Sequence, residues 1–166
     1  VYVYDSMSAA VAQGFLAIEA AERAERGETV QQILHWLDEA KSRAGLVACV
    51  DSLKYLARTG RIGKASKFLG SLLDVKPILS IVDGEVAPIA IQRGSKKILP
   101  AILETTQKKI EGWKKLRLAV FHADDLPRAE ELRQMTRNAL QFQEDISIDE
   151  FTPMMGVHTG PGVVGL

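Results

Sequence analysis

Cysteine is almost missing from this chain. Cys49 is the one thiol in 166 residues, so no internal disulfide can staple the fold, and a reducing compartment is expected. Cys49 lies in the apolar run Leu46-Val47-Ala48-Cys49-Val50, where nothing nearby would lower its pKa, so a buried, inert thiol is expected. Long apolar runs are missing too. None approaches the ~20 residues of a membrane-spanning helix, and stable membrane insertion is not expected. Neither sign of charge is in excess, with 21 Lys+Arg against 21 Asp+Glu. No overall field therefore draws the chain to nucleic acid. No G-x-x-x-x-G-K-[ST] run offers a phosphate loop, and no G-x-S-x-G elbow presents a nucleophile. His35, His122 and His158 are scattered without Cys/His metal spacing, so neither a metal nor a cofactor is expected.

What is present is a composition that fills a core: 46% of residues are hydrophobic and 25% charged, typical of a globular domain. The sequence opens on Val1-Tyr2-Val3-Tyr4 without an initiator methionine and stops on Leu166 inside an expected strand. It reads as a piece of a longer protein. No signal-peptide pattern precedes the first expected strand, and the expected location is the cytoplasm.

Residues 1–4 are β-branched and aromatic and predict a strand. Asp5-Ser6-Met7-Ser8 supplies capping side chains for a helix with Met7, Val11, Gly14, Phe15, Ile18 and Ala21 on one face, ended by Gly27. Thr29-x-x-Gln32 matches a capping box for a second helix burying Val30, Ile33, Leu34, Leu37 and Ala40, with Gly45 beyond its end. Residues 46–50 predict a buried strand. Asp51-Ser52 then caps a short helix through Arg58. Thr59-Gly60-Arg61-Ile62-Gly63 is a glycine-flanked cationic loop, followed by a helix burying Phe68, Leu69, Leu72 and Leu73.

Residues 77–82 and 85–91 bracket Asp83-Gly84, a strong two-residue hairpin signal. Residues 95–110 predict a helix with Ile98, Leu99, Ile102 and Leu103 inward and Pro100 near the start of its regular part. Residues 116–121 form an apolar strand. Asp124 or Asp125 caps a helix with Pro127 in its first turn, burying Ala129, Leu132 and Ala139. Residues 146–151 alternate as a half-exposed strand. The order of elements is α/β with a mixed sheet.

Two loops carry the candidate chemistry. In Arg58-Thr59-Gly60-Arg61-Ile62-Gly63-Lys64, three cations lie among glycines that permit close approach, at the start of an expected helix whose N-terminus favours anions. A solvated basic turn is the alternative. In Met155-Gly156-Val157-His158-Thr159-Gly160-Pro161-Gly162-Val163-Val164-Gly165, glycine amides and an imidazole donor could hold a small anion. A plain turn entering a final strand explains the same residues. Spacing alone does not bring the two loops together. His122 follows a buried strand at an edge where ligands often sit in open sheets; a turn-capping position is the alternative. His35 and the acid pairs Glu130-Glu131 and Asp149-Glu150 read as solvated surface.

Taken in order, Leu53-x-x-Leu56-x-Arg58-Thr59-Gly60-Arg61-Ile62, Leu73-x-x-Lys76-Pro77-Ile78-Leu79, Asp83-Gly84, Arg93 and His158-Thr159-Gly160-Pro161-Gly162 resemble the DegV family of bacterial fatty-acid-binding proteins. This family includes the lipid-binding subunits of fatty acid kinase. Asp5-Ser6, with Gly14 in the next helix, is similar to the family segment preceding its second domain.

The resemblance implies a DegV-like α/β fold. Residues 1–44 would be the end of an α/β/α first domain, and residues 45–166 a second, two-layer α/β domain with a mixed sheet. It implies a carrier that is not itself an enzyme. The carrier would hold one long-chain fatty acid in a tunnel and present its carboxylate to a separate, dihydroxyacetone-kinase-like subunit that makes the acyl phosphate. The histidine of the H-T-G-P-G loop carries over to His158 as the hydrogen-bonding partner of the carboxylate. Thr159, Gly160 and Arg61 are expected beside it, with Gly60, Gly162 and Ser6 as weaker candidates. The family's first domain also contributes hydroxyl residues from a segment that would precede Val1, so an incomplete pocket is expected. The competing function is a glycerone-kinase-like phosphoryl-transfer enzyme domain, which the missing phosphate loop argues against.

Overall fold

The computed structural model describes residues 1–69 and 75–166. Leu72 and Leu73, expected in a helix and in one of the landmarks, lie outside the described residues.

The centre is a six-stranded mixed sheet of order β3-β2-β1-β6-β4-β5, built from β1 (Ala48–Cys49), β2 (Val75–Val82), β3 (Glu85–Arg93), β4 (Ala119–His122), β5 (Ser147–Glu150) and β6 (Val164–Gly165). β1 and β6 are short, but reciprocal bonds between Val47 and Leu166 (N to O 2.8 and 2.9 Å) extend their pairing by a residue. The helices are α1 (Ala10–Glu25), α2 (Val30–Ala40), α3 (Lys54–Arg58), α4 (Ile98–Lys109), α5 (Leu126–Leu140) and α6 (Pro153–Thr159).

Alternation along the strands assigns each face of the sheet its own core. Val47, Cys49, Ile78, Val120 and Val164 point to the face packed by Ile98, Leu99 and Ile102 of α4 and Ala129 and Leu132 of α5. Leu46, Ala48, Val50, Leu79, Phe121 and Val163 point the other way, toward Leu56 of α3 and Ala65. A third, smaller cluster of Leu16, Leu37 and Ala40 holds α1 against α2.

Local signals of high specificity produce the expected elements. Thr29 caps α2 through a full capping box with Gln32. Asp83 and Gly84, both at positive φ (53° and 79°), turn the β2–β3 hairpin with Val82 opposite Glu85. β3 lies at the sheet's edge and carries Pro88, whose missing N–H is tolerated there. The register shifts between Ile78 and Leu79, leaving Ile89 as the extra residue of a bulge. α4 buries Ile98, Leu99, Ile102 and Leu103 as expected, and Asp125 rather than Asp124 caps α5, accepting from Arg128 N at 3.3 Å. His35 is exposed and faces Glu39 at 3.4 Å.

Several expectations fail for identifiable reasons. Residues 1–4 form no strand: β propensity needs a neighbouring edge, and Tyr4 instead donates its hydroxyl to Asp38 of α2 at 3.2 Å. Asp5 and Ser6 do not cap α1. Their oxygens accept from Met7 N (2.9 Å) and Ser8 N (3.3 Å), closing turns ahead of an N-cap, Ala9, that has no side-chain bond. Met7 falls outside the helix, so the buried stripe of α1 shifts to Ala12 and Leu16, and Ile18 and Ala21 are exposed. The segment after Ile62 is a 3-10 helix (Gly63–Phe68) that buries Ala65, with Leu69 exposed. Val30 is exposed in α2, and Thr136, not Ala139, is the last inward position of α5. Residues 155–165, read as a loop, begin inside α6; Pro153 at its first turn starts a helix that tolerates Gly156.

Cys49 is buried, and desolvation pushes its thiol up to about 11 from an ordinary 9.0. The unfolded thiol thus ionises from about pH 9 while the folded one stays protonated to about 11. Stability present below pH 9 is therefore lost as pH rises through that interval, at up to about 1.4 kcal/mol per pH unit. Cys49→Ala should flatten that fall in denaturant melts. In the native wild type at pH 8, 5,5′-dithiobis(2-nitrobenzoate) should label Cys49 only after unfolding; labelling within minutes would contradict the burial.

Candidate functional site

The second face of the sheet is not fully covered. A cavity of about 500 Å³ lies over Ala48, Val50, Leu79, Phe121 and Val163. Its floor is apolar because those strand positions alternate inward, and Phe121 stacks on Phe151 with ring centroids 4.8 Å apart. The wall is made by Ala9 and Ala10 at the start of α1, the hairpin turn at Gly84, the Gly60-Arg61 loop, and Met155, His158 and Thr159 of α6. The fold thus brings the two glycine-bearing loops to one cavity, which spacing could not establish.

His158 occupies the last turn of α6 and is half-buried. Its Nδ1 is shielded from solvent and has no hydrogen-bond partner among the described residues. An unpaired buried polar atom costs roughly 1–3 kcal/mol, and nothing among the described residues offsets that cost for this nitrogen. Thr159 also lines the cavity, but its hydroxyl turns back to Met155 O (3.2 Å) and Gly160 O (3.3 Å). Arg61 is exposed at the rim. Its guanidinium donates to Thr59 O at 2.8 Å, and it forms no ion pair among the described residues. Gly60 lies beside it, at φ 68°.

Gly160, Gly162 and Ser6 are placed differently: none lines the cavity. The Gly160 amide donates to Gly156 O (2.8 Å) and the Gly162 amide to Ala123 O (2.7 Å), so both are engaged within the fold. These glycines admit close packing instead. A Cβ on Gly160 would enter the Tyr55 ring, and one on Gly162 would enter the Asp51 carboxylate. Ser6 bonds only its neighbour Ser8. His122 accepts from Asp125 N at 3.2 Å, the turn-capping alternative. Arg58 and Lys64 do not line the cavity, and the helix after the cationic loop is too short to carry a strong dipole.

Sequence reasoning missed the brace behind the His158 loop. Arg128 donates to Gly162 O (2.7 Å) and to Asp51 Oδ1 (3.3 Å), and pairs with Asp125. Burial pulls the Arg128 guanidinium down, but Asp125 and Asp51 together outweigh it and hold the group above its ordinary value. No local signal could have shown this, since Asp51 and Arg128 stand 77 residues apart. Among the described residues, no group of three or more His, Cys, Asp or Glu is placed to hold a metal, and no helix is long and apolar enough to cross a membrane.

Comparison with known proteins agrees with this fold. A DegV domain-containing protein of Halalkalibacterium halodurans is 35% identical over 164 residues, covering 98% of this chain and 57% of the relative. A protein of Thermotoga maritima named fatty acid-binding protein is 33% identical over 167 residues, covering 99% and 58%. Among solved structures, a DegV family protein from Thermus thermophilus, described by its fatty acid binding, superposes with a TM-score of 0.91 at 32% identity, over 99% of this chain and 59% of that one. DegV from Bacillus subtilis, described as a fatty acid binding protein, gives 0.84 at 32% identity, over 99% and 58%. The chain thus spans under three-fifths of the length of these relatives. The family model described as "Uncharacterised protein, DegV family" matches residues 1–166, and the chain belongs to the DegV family.

Proposed function

We propose that this chain is the larger part of a fatty-acid carrier. The acyl chain lies along the apolar floor formed by Val50, Phe121 and Val163, and the carboxylate meets His158 at the mouth, near Thr159 and Arg61. The observation that carries this reading is the unpaired, shielded Nδ1 of His158 at the edge of an apolar cavity. A carboxylate taken out of water needs such a donor, and imidazole supplies one in its neutral or charged form. The names of the Thermotoga, Thermus and Bacillus relatives point to the same ligand class.

Residues 1–44 would close one domain and residues 45–166 form the next; the separate cluster of Leu16, Leu37 and Ala40 supports that division. The bound carboxylate would be presented, in the cytoplasm, to a dihydroxyacetone-kinase-like subunit that converts it to an acyl phosphate. Arg61, exposed at the rim, is suited to face that subunit. No observation favours a phosphoryl-transfer enzyme within this chain.

The test is His158→Ala. Losing a hydrogen bond to a charged group costs about 1.5–3 kcal/mol, or roughly 10- to 150-fold in affinity. Calorimetric titration with palmitate should show that loss with the thermal midpoint little changed. Equal affinity in both proteins would remove His158 from the site.

A further inference from the structure

A second hollow, of about 590 Å³, lies between α1, α2, the end of α4 and the segment 113–119, and among the described residues it shares Leu46 alone with the cavity at His158. Its charge is one-sided. Glu19 is its one acidic lining residue, and Arg23 and Arg26 already neutralise it at 3.5 and 3.2 Å. Arg117 faces Glu22 at 3.5 Å. Arg43, Lys109, Lys114 and Lys115 also line it, and none has an acidic partner among the described residues. Thr106 lines the same hollow with only 5% of its surface exposed, and its hydroxyl has no hydrogen-bond partner among the described residues. Thr106 and Lys109 stand three apart on α4 and so share one face of it. Phe15, Leu16 and Trp113 supply apolar surface alongside.

We propose that this hollow is a second ligand site, distinct from the cavity at His158, that takes an amphiphilic carboxylate. The acid group is held by the Thr106 hydroxyl and the Lys109 ammonium within the field of Arg43, Lys114 and Lys115. The apolar body lies on Phe15, Leu16 and Trp113. The carboxylate accepts from both donors, which satisfies the orphan hydroxyl and relieves the crowding of like charges. The proposal does not depend on the reading of the His158 cavity.

The two tryptophans of the chain, Trp36 and Trp113, both line this hollow, and neither lines the other. Tryptophan emission therefore reports on it selectively. Titration with 12-bromododecanoate, whose bromine quenches indole on contact, should give saturable quenching that His158→Ala leaves unchanged. The affinity read from that quenching should fall roughly tenfold in Thr106→Val and at least as much in Lys109→Glu. Lys109 is exposed, so its replacement leaves the core intact, which circular dichroism verifies. The same chain bearing an ammonium head should quench weakly. The proposal is overturned by absent or unsaturable quenching, by quenching that disappears in His158→Ala, by unchanged affinity in Lys109→Glu, or by equal quenching with the ammonium probe.

Discussion

Gly160→Ala is expected to lower the thermal midpoint by roughly 5–20 °C. Two independent costs combine. Gly160 has φ 72° and ψ 173°, a region essentially closed to residues with a Cβ, where strain costs about 1–3 kcal/mol. The new Cβ would also enter the Tyr55 ring, and overpacking adds about 1–3 kcal/mol. The double variant Gly160→Ala/Tyr55→Ala separates the two. Tyr55→Ala should restore the steric part and leave the backbone part, giving a coupling energy of about 1 kcal/mol or more. Strictly additive melting data would show that Tyr55 does not enforce glycine there. Because Gly160 directly follows α6, the variant should also weaken fatty-acid binding by moving His158.

Palmitate is expected to bind roughly 200-fold more tightly than laurate. Four methylenes laid on an apolar surface contribute about 0.8 kcal/mol each, or about 3 kcal/mol in total. The ordering of a longer chain subtracts from this, so the ratio is an upper figure. His158→Ala should shift every member of a chain-length series by a similar factor, since the proposed binding mode puts head and tail on different parts of the cavity. Calorimetry across twelve to sixteen carbons measures both trends at once. An affinity independent of chain length would mean that the tail does not lie on Val50, Phe121 and Val163.

Short-range chemistry was legible in the residues, and long-range assembly was not. The capping box at Thr29 and Gln32 and the turn at Asp83-Gly84 need only neighbours, so both formed as read. Residues 1–4 carry strand propensity, but a strand is a property of a pair, and they pair with no strand among the described residues. At α6, glycine suggested a loop, while Pro153 and the ladder of Gly160 N to Gly156 O decided for helix. The glycines of the H-T-G-P-G loop both take positive φ, 72° at Gly160 and 80° at Gly162. What they accommodate is Tyr55 and Asp51, residues about a hundred positions earlier. His158 and Arg61 were both identifiable as candidates, but only the fold puts them around one hollow.

Pro88 and the bulge at Ile89 also bear on how the molecule behaves in a crowded solution. An outermost strand with Ile89 and Ile91 facing water would otherwise be a template for joining sheets between neighbouring molecules. An interrupted donor row and an irregular register leave an incoming chain no continuous ladder to copy. Concentrated samples should therefore stay free of fibrils while Pro88 is in place, and Pro88→Val should be the change that starts them growing.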